Sequence, residues 1–259
     1  MNNYIKKIDF SKYSSLHIGP VSEVLVINEI DDYSNYEILG RANNVLISNN
    51  HPKFAILGEN FDYIEQKGDF LHVGCATKSG KLLSYAKRHD IADMEFLGKL
   101  PGTLGGLVKM NAGLKQWEIF NYIDSIKTNE GYIPKKSVNF SYRNTNIDTI
   151  VYEVVYKITY GYSKDKSLMF KKMRDNQPQL PSAGSCFANP KGDYAGRLIE
   201  AVGLKGYKKG GMGFSNEHAN FLVNYGNGTY QEAIYMINLA QERIKKEFDI
   251  DIQKEIIVY

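Results

Sequence analysis

The stretch LPGTLGGLVKMNAG, Leu100 to Gly113, sets four glycines and a proline among Leu, Val and Met. A tight turn needs one or two glycines, and a flexible linker carries Ser or Asp where this stretch carries apolar side chains. Glycine permits a positive φ and lets backbone N–H groups approach a ligand with no Cβ in the way. A second stretch of this kind, LGRANNVLIS, has Gly40 closing an apolar run, with Asn43 and Asn44 just after it. Read singly, each suits a tight strand connection with an Asn cap as well as it suits a ligand cradle. Together, in a chain with no other nucleotide motif, they point to a pyrophosphate-containing cofactor held by backbone. Leu104, Leu107, Val108 and Met110 would then cover a flat ring system.

Around these stretches the chain alternates strands and helices. VSEVLVI from Val21, YEILG ending at Gly40, FAILG ending at Gly58 and FLHVG ending at Gly74 are β-branched and aromatic runs closed by glycine. Their spacing reads as hairpin-like. KLLSYAKRH from Lys81 reads as a helix, and TIVYEVVYKITY, Thr149 to Tyr160, as a long strand. The basic stretch SKDKSLMFKKMRDNQ then predicts a helix and a change of domain. Thr229 and Glu232 in TYQE have capping-box spacing, and Ala233, Ile234, Ile237, Ala240, Ile244 and Phe248 follow a helical period behind them. The expected class is α+β with two lobes.

Composition excludes several functions. The 259 residues suggest one or two domains, and fractions of 43% hydrophobic and 24% charged residues are those of an ordinary soluble protein. A net charge of +3 without a Lys/Arg block gives no support for a nucleic-acid partner. Cys75 and Cys186, the only two cysteines, form no disulfide framework or metal pattern. MNNYIKKIDF has no apolar signal core and no run reaches membrane-spanning length, so no membrane partner and a cytoplasmic location are expected. G-x-G-x-x-G, H-E-x-x-H, C-x-x-C and G-x-S-x-G are missing. GCATKSGKL, Gly74 to Leu82, has one residue too many for a P-loop and Leu82 where Ser or Thr belongs.

Five segments then fall in a familiar order: EFLGKLPGTLGGLVKMNAG, NFSYRNTNID, PSAGSCFANP, EHANFLVN and IQKEIIVY. From about Ser15 to Glu255 the chain resembles the UDP-N-acetylenolpyruvoylglucosamine reductases, flavoenzymes of bacterial cell-wall precursor synthesis. The resemblance implies a two-lobed FAD-binding domain of the vanillyl-alcohol-oxidase-like (PCMH-type) group over residues 1–162. A smaller α+β substrate-binding domain would follow over 163–259, its C-terminal strand returning to the active site. The activity implied is that of a UDP-N-acetylmuramate dehydrogenase: NADPH reduces non-covalent FAD, which then reduces the enolpyruvyl ether of a nucleotide sugar. A monomer is expected. The segment between Asp148 and Ser182 is too short for the substrate-capping tyrosine loop of the longer subgroup, so the chain is similar to the compact one. Departures from the family pattern fall at Arg41 and Asn43 in GRANN, at Gly19–Pro20, at Asn176 and at Ala188.

By motif match, Ser185 in GSCF donates a proton, while Arg143 in SYRN and Glu255 in QKEI flank the enolate. Arginine offers a fixed, permanently charged fork for a carboxylate. A glutamate can hold a proton in an apolar setting, and serine serves as an acid only beside positive charge. The same match implies cofactor contacts at Gly40, Asn43, Asn44, Pro101, Gly102, Thr103, Gly105, Gly106, Asn111 and Gly113. It implies substrate contacts at Asn189, His218 and Arg174, and no metal. A structural hydrogen bond is the more natural role for His218. Along an extended segment only one of Ser185 and Cys186 can face a site, and Cys186 reads as a small packed hydrophobe. Two other readings stay open: an oxidase of the same fold group using oxygen, and a non-catalytic flavin or nucleotide-sugar binding protein.

Overall fold

Apolar runs closed by glycine become strands where the composition predicts them. In a computed structural model describing residues 1–175 and 177–259, contacts divide the chain into two compact units. The first comprises Met1–Lys6, Glu23–Arg41 and Lys53–Asp175; the second comprises Lys7–Ser22, Ala42–Pro52 and Asn176–Tyr259. The division falls later than 162/163 because the helix Lys164–Lys172 buries Phe170 in the core of the first unit, edge-on to Trp117 at 5.1 Å. Asn176 itself lies outside the described residues.

The first unit carries most of a four-stranded sheet in the order Tyr4–Asp9, Val21–Ile27, Phe54–Leu57, Glu37–Leu39. Phe54–Leu57 runs parallel to both Val21–Ile27 and Glu37–Leu39, so the hairpin-like spacing misleads. Val21–Ile27 and Glu37–Leu39, consecutive in sequence, are not neighbours in this sheet, because the later strand Phe54–Leu57 inserts between them. The unit's second sheet is antiparallel, in the order Gly131–Pro134, Ile123–Thr128, Glu153–Lys157, Phe70–Gly74, Ile64–Lys67. The strand expected from Thr149 to Tyr160 is regular only over Glu153–Lys157. The helix Ser79–Arg88 buries Leu82 and Ala86 in the same core as Leu71, Val73, Val154 and Tyr156.

One carboxylate lies inside this sheet. Glu153 is 3% exposed and accepts hydrogen bonds from Tyr63 Oη at 2.5 Å, His72 Nδ1 at 2.8 Å and Tyr132 Oη at 2.8 Å. Burial alone would raise its pKa, but the donated hydrogen bonds outweigh it and the net shift is downward. Burial and the carboxylate together push both tyrosine hydroxyls up, Tyr132 to about 12.

The second unit holds an antiparallel sheet in the order Ser182–Ser185, Phe221–Asn224, Met212–Phe214, Lys208–Lys209. Its long helix, Tyr230–Phe248, starts at the anticipated capping box: Thr229 and Glu232 bond reciprocally to each other's backbone amides. Ala233, Met236, Ile237, Ala240 and Ile244 face inward, while Ile234 and Phe248 pack at the margin. The C-terminal strand Ile257–Val258 pairs in parallel with Val45–Leu46. Antiparallel sheets in both units, with helices between their strands along the chain, make this an α+β protein.

Candidate functional site

Within the first unit, Gly40 meets the stretch Pro101 to Gly113. Gly102 takes φ +128°, and Thr103 bridges Lys78 before the short helix Leu104–Lys109. A Cβ on Gly40 would lie 2.6 Å from Thr103 Oγ1 and 3.7 Å from Gly106 Cα, so the two backbones approach closely. Gly105 is small for a different reason: its Cβ would press on Cys75 at 3.2 Å, and its amide donates to the Cys75 carbonyl at 2.9 Å. Leu104, Leu107 and Val108 do not cover a ligand surface. They share one face of the helix and sit in the hydrophobic core, at most 7% exposed.

What the helix leaves outward is glycine backbone. Among the described residues the amides of Thr103 and Gly106 donate to no protein acceptor, and both residues are half-buried. Spare N–H groups beside a surface with no Cβ suit the anionic oxygens of a pyrophosphate. The residues therefore fit the phosphate portion of FAD.

Downstream, Asn111 is 0% exposed with φ 43°. Its Nδ2 donates to Glu118 Oε2 and to the Ser141 carbonyl, both at 2.9 Å, and its Oδ1 accepts from the Phe120 amide at 3.2 Å. All of these partners are internal, so its side chain ties three segments together. Gly113 sits where a Cβ would strike the Trp117 carbonyl oxygen at 2.3 Å. Arg143 occupies the two-residue turn between Phe140–Ser141 and Asn144–Thr145, with φ 58°. Its Nη2 donates to the Gly113 carbonyl at 3.2 Å, and its guanidinium lies 5.1 Å from the Tyr142 ring. Arg174 also belongs to this unit, in the turn after Lys164–Lys172.

In the second unit, Ser185 and Glu255 are brought together by backbone. Gly184 takes φ +79° at a register shift between Ser182 and Ser185, leaving Ser185 half-buried opposite Phe221. Cys186 turns into the core at 1% exposure, as alternation requires. Its carbonyl accepts from the Glu255 amide at 2.9 Å and the Ile256 amide at 3.3 Å. Burial, and next the Glu255 charge, push the Cys186 thiol up. Asn44 completes the arrangement: its Nδ2 donates to the Glu255 carbonyl at 2.8 Å, and its own carbonyl accepts from Ile257 at 3.0 Å. The Asn43 carbonyl accepts from Ser15 Oγ at 3.1 Å.

Asn220 is a residue that motif matching passed over, although it stands inside EHANFLVN. Buried at 4%, it bonds both the amide and the carbonyl of Phe187 through its side chain, and its own carbonyl accepts from Cys186 at 2.7 Å. Its signal was an Asn in an apolar strand, which costs stability unless its bonds are made. His218 is half-buried, accepts from the Asn220 amide at 3.3 Å and has its pKa lowered by burial, all consistent with a structural neutral imidazole. Asn189 Oδ1 accepts from the Ala195 amide at 2.9 Å, capping the helix Ala195–Ala201. Among the described residues no helix is long and apolar enough to cross a membrane, and no three acidic, His or Cys side chains group as a metal site.

This architecture is that of a known class of oxidoreductase. The crystal structure of a UDP-N-acetylenolpyruvylglucosamine reductase from Thermus caldophilus superposes with a TM-score of 0.85, covering 99% of each chain at 26% identity. Relatives in sequence carry the same description. The UDP-N-acetylenolpyruvoylglucosamine reductase of Helicobacter pylori strain J99 is 43% identical over 250 residues, 96% of each chain. That of Campylobacter jejuni strain RM1221 is 44% identical over 256 residues, covering 97% of this chain and 99% of the relative. Residues 176–259 match the family model for the C-terminal domain of these reductases. The chain belongs to the UDP-N-acetylenolpyruvoylglucosamine reductase family.

Proposed function

We propose that the protein reduces the enolpyruvyl ether of UDP-N-acetylglucosamine to the lactyl ether, UDP-N-acetylmuramate, in cytoplasmic peptidoglycan precursor synthesis, acting as a monomer. The first unit, a two-lobed PCMH-type arrangement in this reading, holds FAD; the second binds the nucleotide sugar. FAD, when bound, supplies the hydride that reaches the double bond, having been reduced by NADPH. The backbone of Gly40, Gly102, Thr103 and Gly106 holds its phosphates, with the spare amides of Thr103 and Gly106 as donors.

The observation carrying the chemistry is the double hydrogen bond from the Glu255 and Ile256 amides to the Cys186 carbonyl. It fixes a carboxyl-bearing residue beside the backbone of the serine at 185. Ser185 Oγ delivers the proton to the carbon next to the substrate carboxylate. Glu255 assists as a hydrogen-bonding partner of the developing enolate, and Arg143 offsets its negative charge. Cys186, turned into the core with its thiol pKa raised, is unsuited to compete with Ser185. Asn189, His218 and Arg174 are assigned to substrate binding by the family resemblance, with Asn189 and His218 also bearing the structural bonds described above.

The test is the visible spectrum of the purified protein, followed anaerobically as NADPH and then the enolpyruvyl nucleotide sugar are added. A flavin band that bleaches with NADPH and returns with the sugar is the expected result. No band after incubation with FAD would overturn the proposal in favour of a binding protein, and a band restored only by oxygen would replace it with an oxidase.

A further inference from the structure

We infer that Asn111 is a positioning residue for Arg143, an assignment that rests on the reading of Arg143 as the cation facing the enolate. The hydrogen bonds of Asn111 point to this role. A buried asparagine needed only to close its own turn would bond nearby backbone. Asn111 instead reaches thirty residues along the chain to the Ser141 carbonyl, at 2.9 Å. Ser141 pairs with Asn144 across the two-residue turn that carries Arg143. The other donor hydrogen and the Oδ1 bind Glu118 and Phe120, which fixes the amide plane.

Arg143 is thus held twice by one segment. Its backbone turn hangs from Asn111 through Ser141, and its guanidinium hangs from the Gly113 carbonyl at 3.2 Å. A further tie, Thr145 Oγ1 to the Lys109 carbonyl at 2.9 Å, secures only the far strand of the hairpin. Without the Ser141 bond the hairpin keeps its attachments at Thr145 and at the Phe140 ring, stacked on Phe120 at 4.9 Å, but the backbone leading into the turn loses its hydrogen-bonded tie. Arg143, two residues further on, is then positioned by the Gly113 carbonyl alone of these two ties. The stretch that carries the proposed cofactor contacts therefore also sets the position of the arginine, and Asn111 is the link between them. Its φ of 43° is one that asparagine tolerates better than most residues.

The test exchanges functional groups without changing shape or net charge. In the double variant Asn111→Asp with Glu118→Gln, the new amide at 118 donates to the carboxylate at 111, and the Phe120 amide keeps its acceptor. The Ser141 carbonyl alone loses its donor, and faces a carboxylate oxygen in its place. Glu118→Gln by itself retains the Ser141 bond and is the control. Two readouts are needed. In the protein without cofactor, amide hydrogen exchange over residues 139–147 rises in the double variant and not in the control. In the FAD-loaded protein, anaerobic stopped-flow separates flavin reduction by NADPH from reoxidation by the enolpyruvyl nucleotide sugar. The double variant keeps reduction within about twofold and slows reoxidation about 10²-fold, the scale of a misplacement near 1 Å. If the double variant does not fold, Asn111→Gly, which accepts the positive φ, shows the same selectivity.

Reoxidation within about twofold of wild type, or an equal fall in both half-reactions, overturns the assignment. A wild-type chain that binds no flavin overturns the flavoenzyme reading and this assignment together. A flavin-loaded wild type whose variants show no selectivity overturns this assignment alone.

Discussion

Replacing Glu153 by leucine should lower stability by about 3 kcal/mol, on the following grounds. The carboxylate is 3% exposed and accepts from Tyr63, His72 and Tyr132. Tyr132 is 53% exposed, so water replaces the lost partner there at little cost. Tyr63 and His72 are half-buried and lose theirs, each leaving an unmet donor worth about 1–3 kcal/mol. The better burial of leucine offsets part of that sum. Thermal unfolding should fall by about 6–12 °C, at about 2–4 °C per kcal/mol for a chain of this size. Glu153→Gln keeps the shape, loses the charge and turns one acceptor oxygen into a donor, which a tyrosine hydroxyl can accept by rotating; about half the effect is expected, since charge-assisted bonds are about twice as strong as neutral ones. The pH dependence has a definite sign. The folded pKa of Glu153 is lowered from its ordinary 4.5. The advantage of wild type over Glu153→Gln is therefore fully present above pH 4.5 and disappears as pH falls through the folded value. Melting curves from pH 7 to pH 3 test this. A leucine variant melting within about 2 °C of wild type, less than 1 kcal/mol, would refute the reasoning, as would a wild-type advantage that grows on acidification.

Other outcomes are equally specific. Ser185→Ala should leave flavin reduction by NADPH unchanged and slow reoxidation by the enolpyruvyl sugar about 10²–10⁴-fold, the usual range for a lost proton donor; a loss under tenfold in stopped-flow would remove Ser185 from that role. Gly113→Ala places a Cβ 2.3 Å from the Trp117 carbonyl oxygen and 2.7 Å from Glu118 Cα. Because both are backbone atoms, a cost of about 1–3 kcal/mol is expected in urea unfolding, and an unchanged midpoint would contradict the close approach. Both cysteines are at most 1% exposed with thiol pKa values raised mainly by burial. Ellman's reagent should find neither in the native protein and both after unfolding, so a fast native thiol would contradict the burial.

The family and the candidate chemistry were legible in short segments because a motif such as GSCF or SYRN survives as a string. Gly184 illustrates both the reach and the limit of such reading. A glycine before Ser185 suggests a special backbone conformation, and φ +79° is found there. Nothing in the string says that the next carbonyl will accept two amides from residues 255 and 256. The motif match implies a cofactor contact at Asn111, and nothing in the string shows that its side chain also bonds Glu118, Phe120 and Ser141. The glycine stretch suggests Leu104, Leu107, Val108 and Met110 as a ring cover, yet the first three fall on the core face of a helix too short for its period to stand out.

By itself the sequence determined what depends on neighbours along the chain. The Tyr230–Phe248 helix follows from the Thr229–Glu232 box and a 3-to-4 residue apolar period, both contained within a few turns. The early strands follow from β-branched runs ended by glycine. Only the tertiary structure decided which strands pair and in which direction, because a strand exposes the same hydrogen-bonding groups to any partner. It set Phe54–Leu57 in parallel between two earlier strands, and it set the C-terminal strand beside Val45–Leu46. It also decided which polar side chains serve the fold, since a buried amide or carboxylate must find partners wherever packing places them. Those partners of Asn111, Asn220 and Glu153 lie up to 90 residues away along the chain.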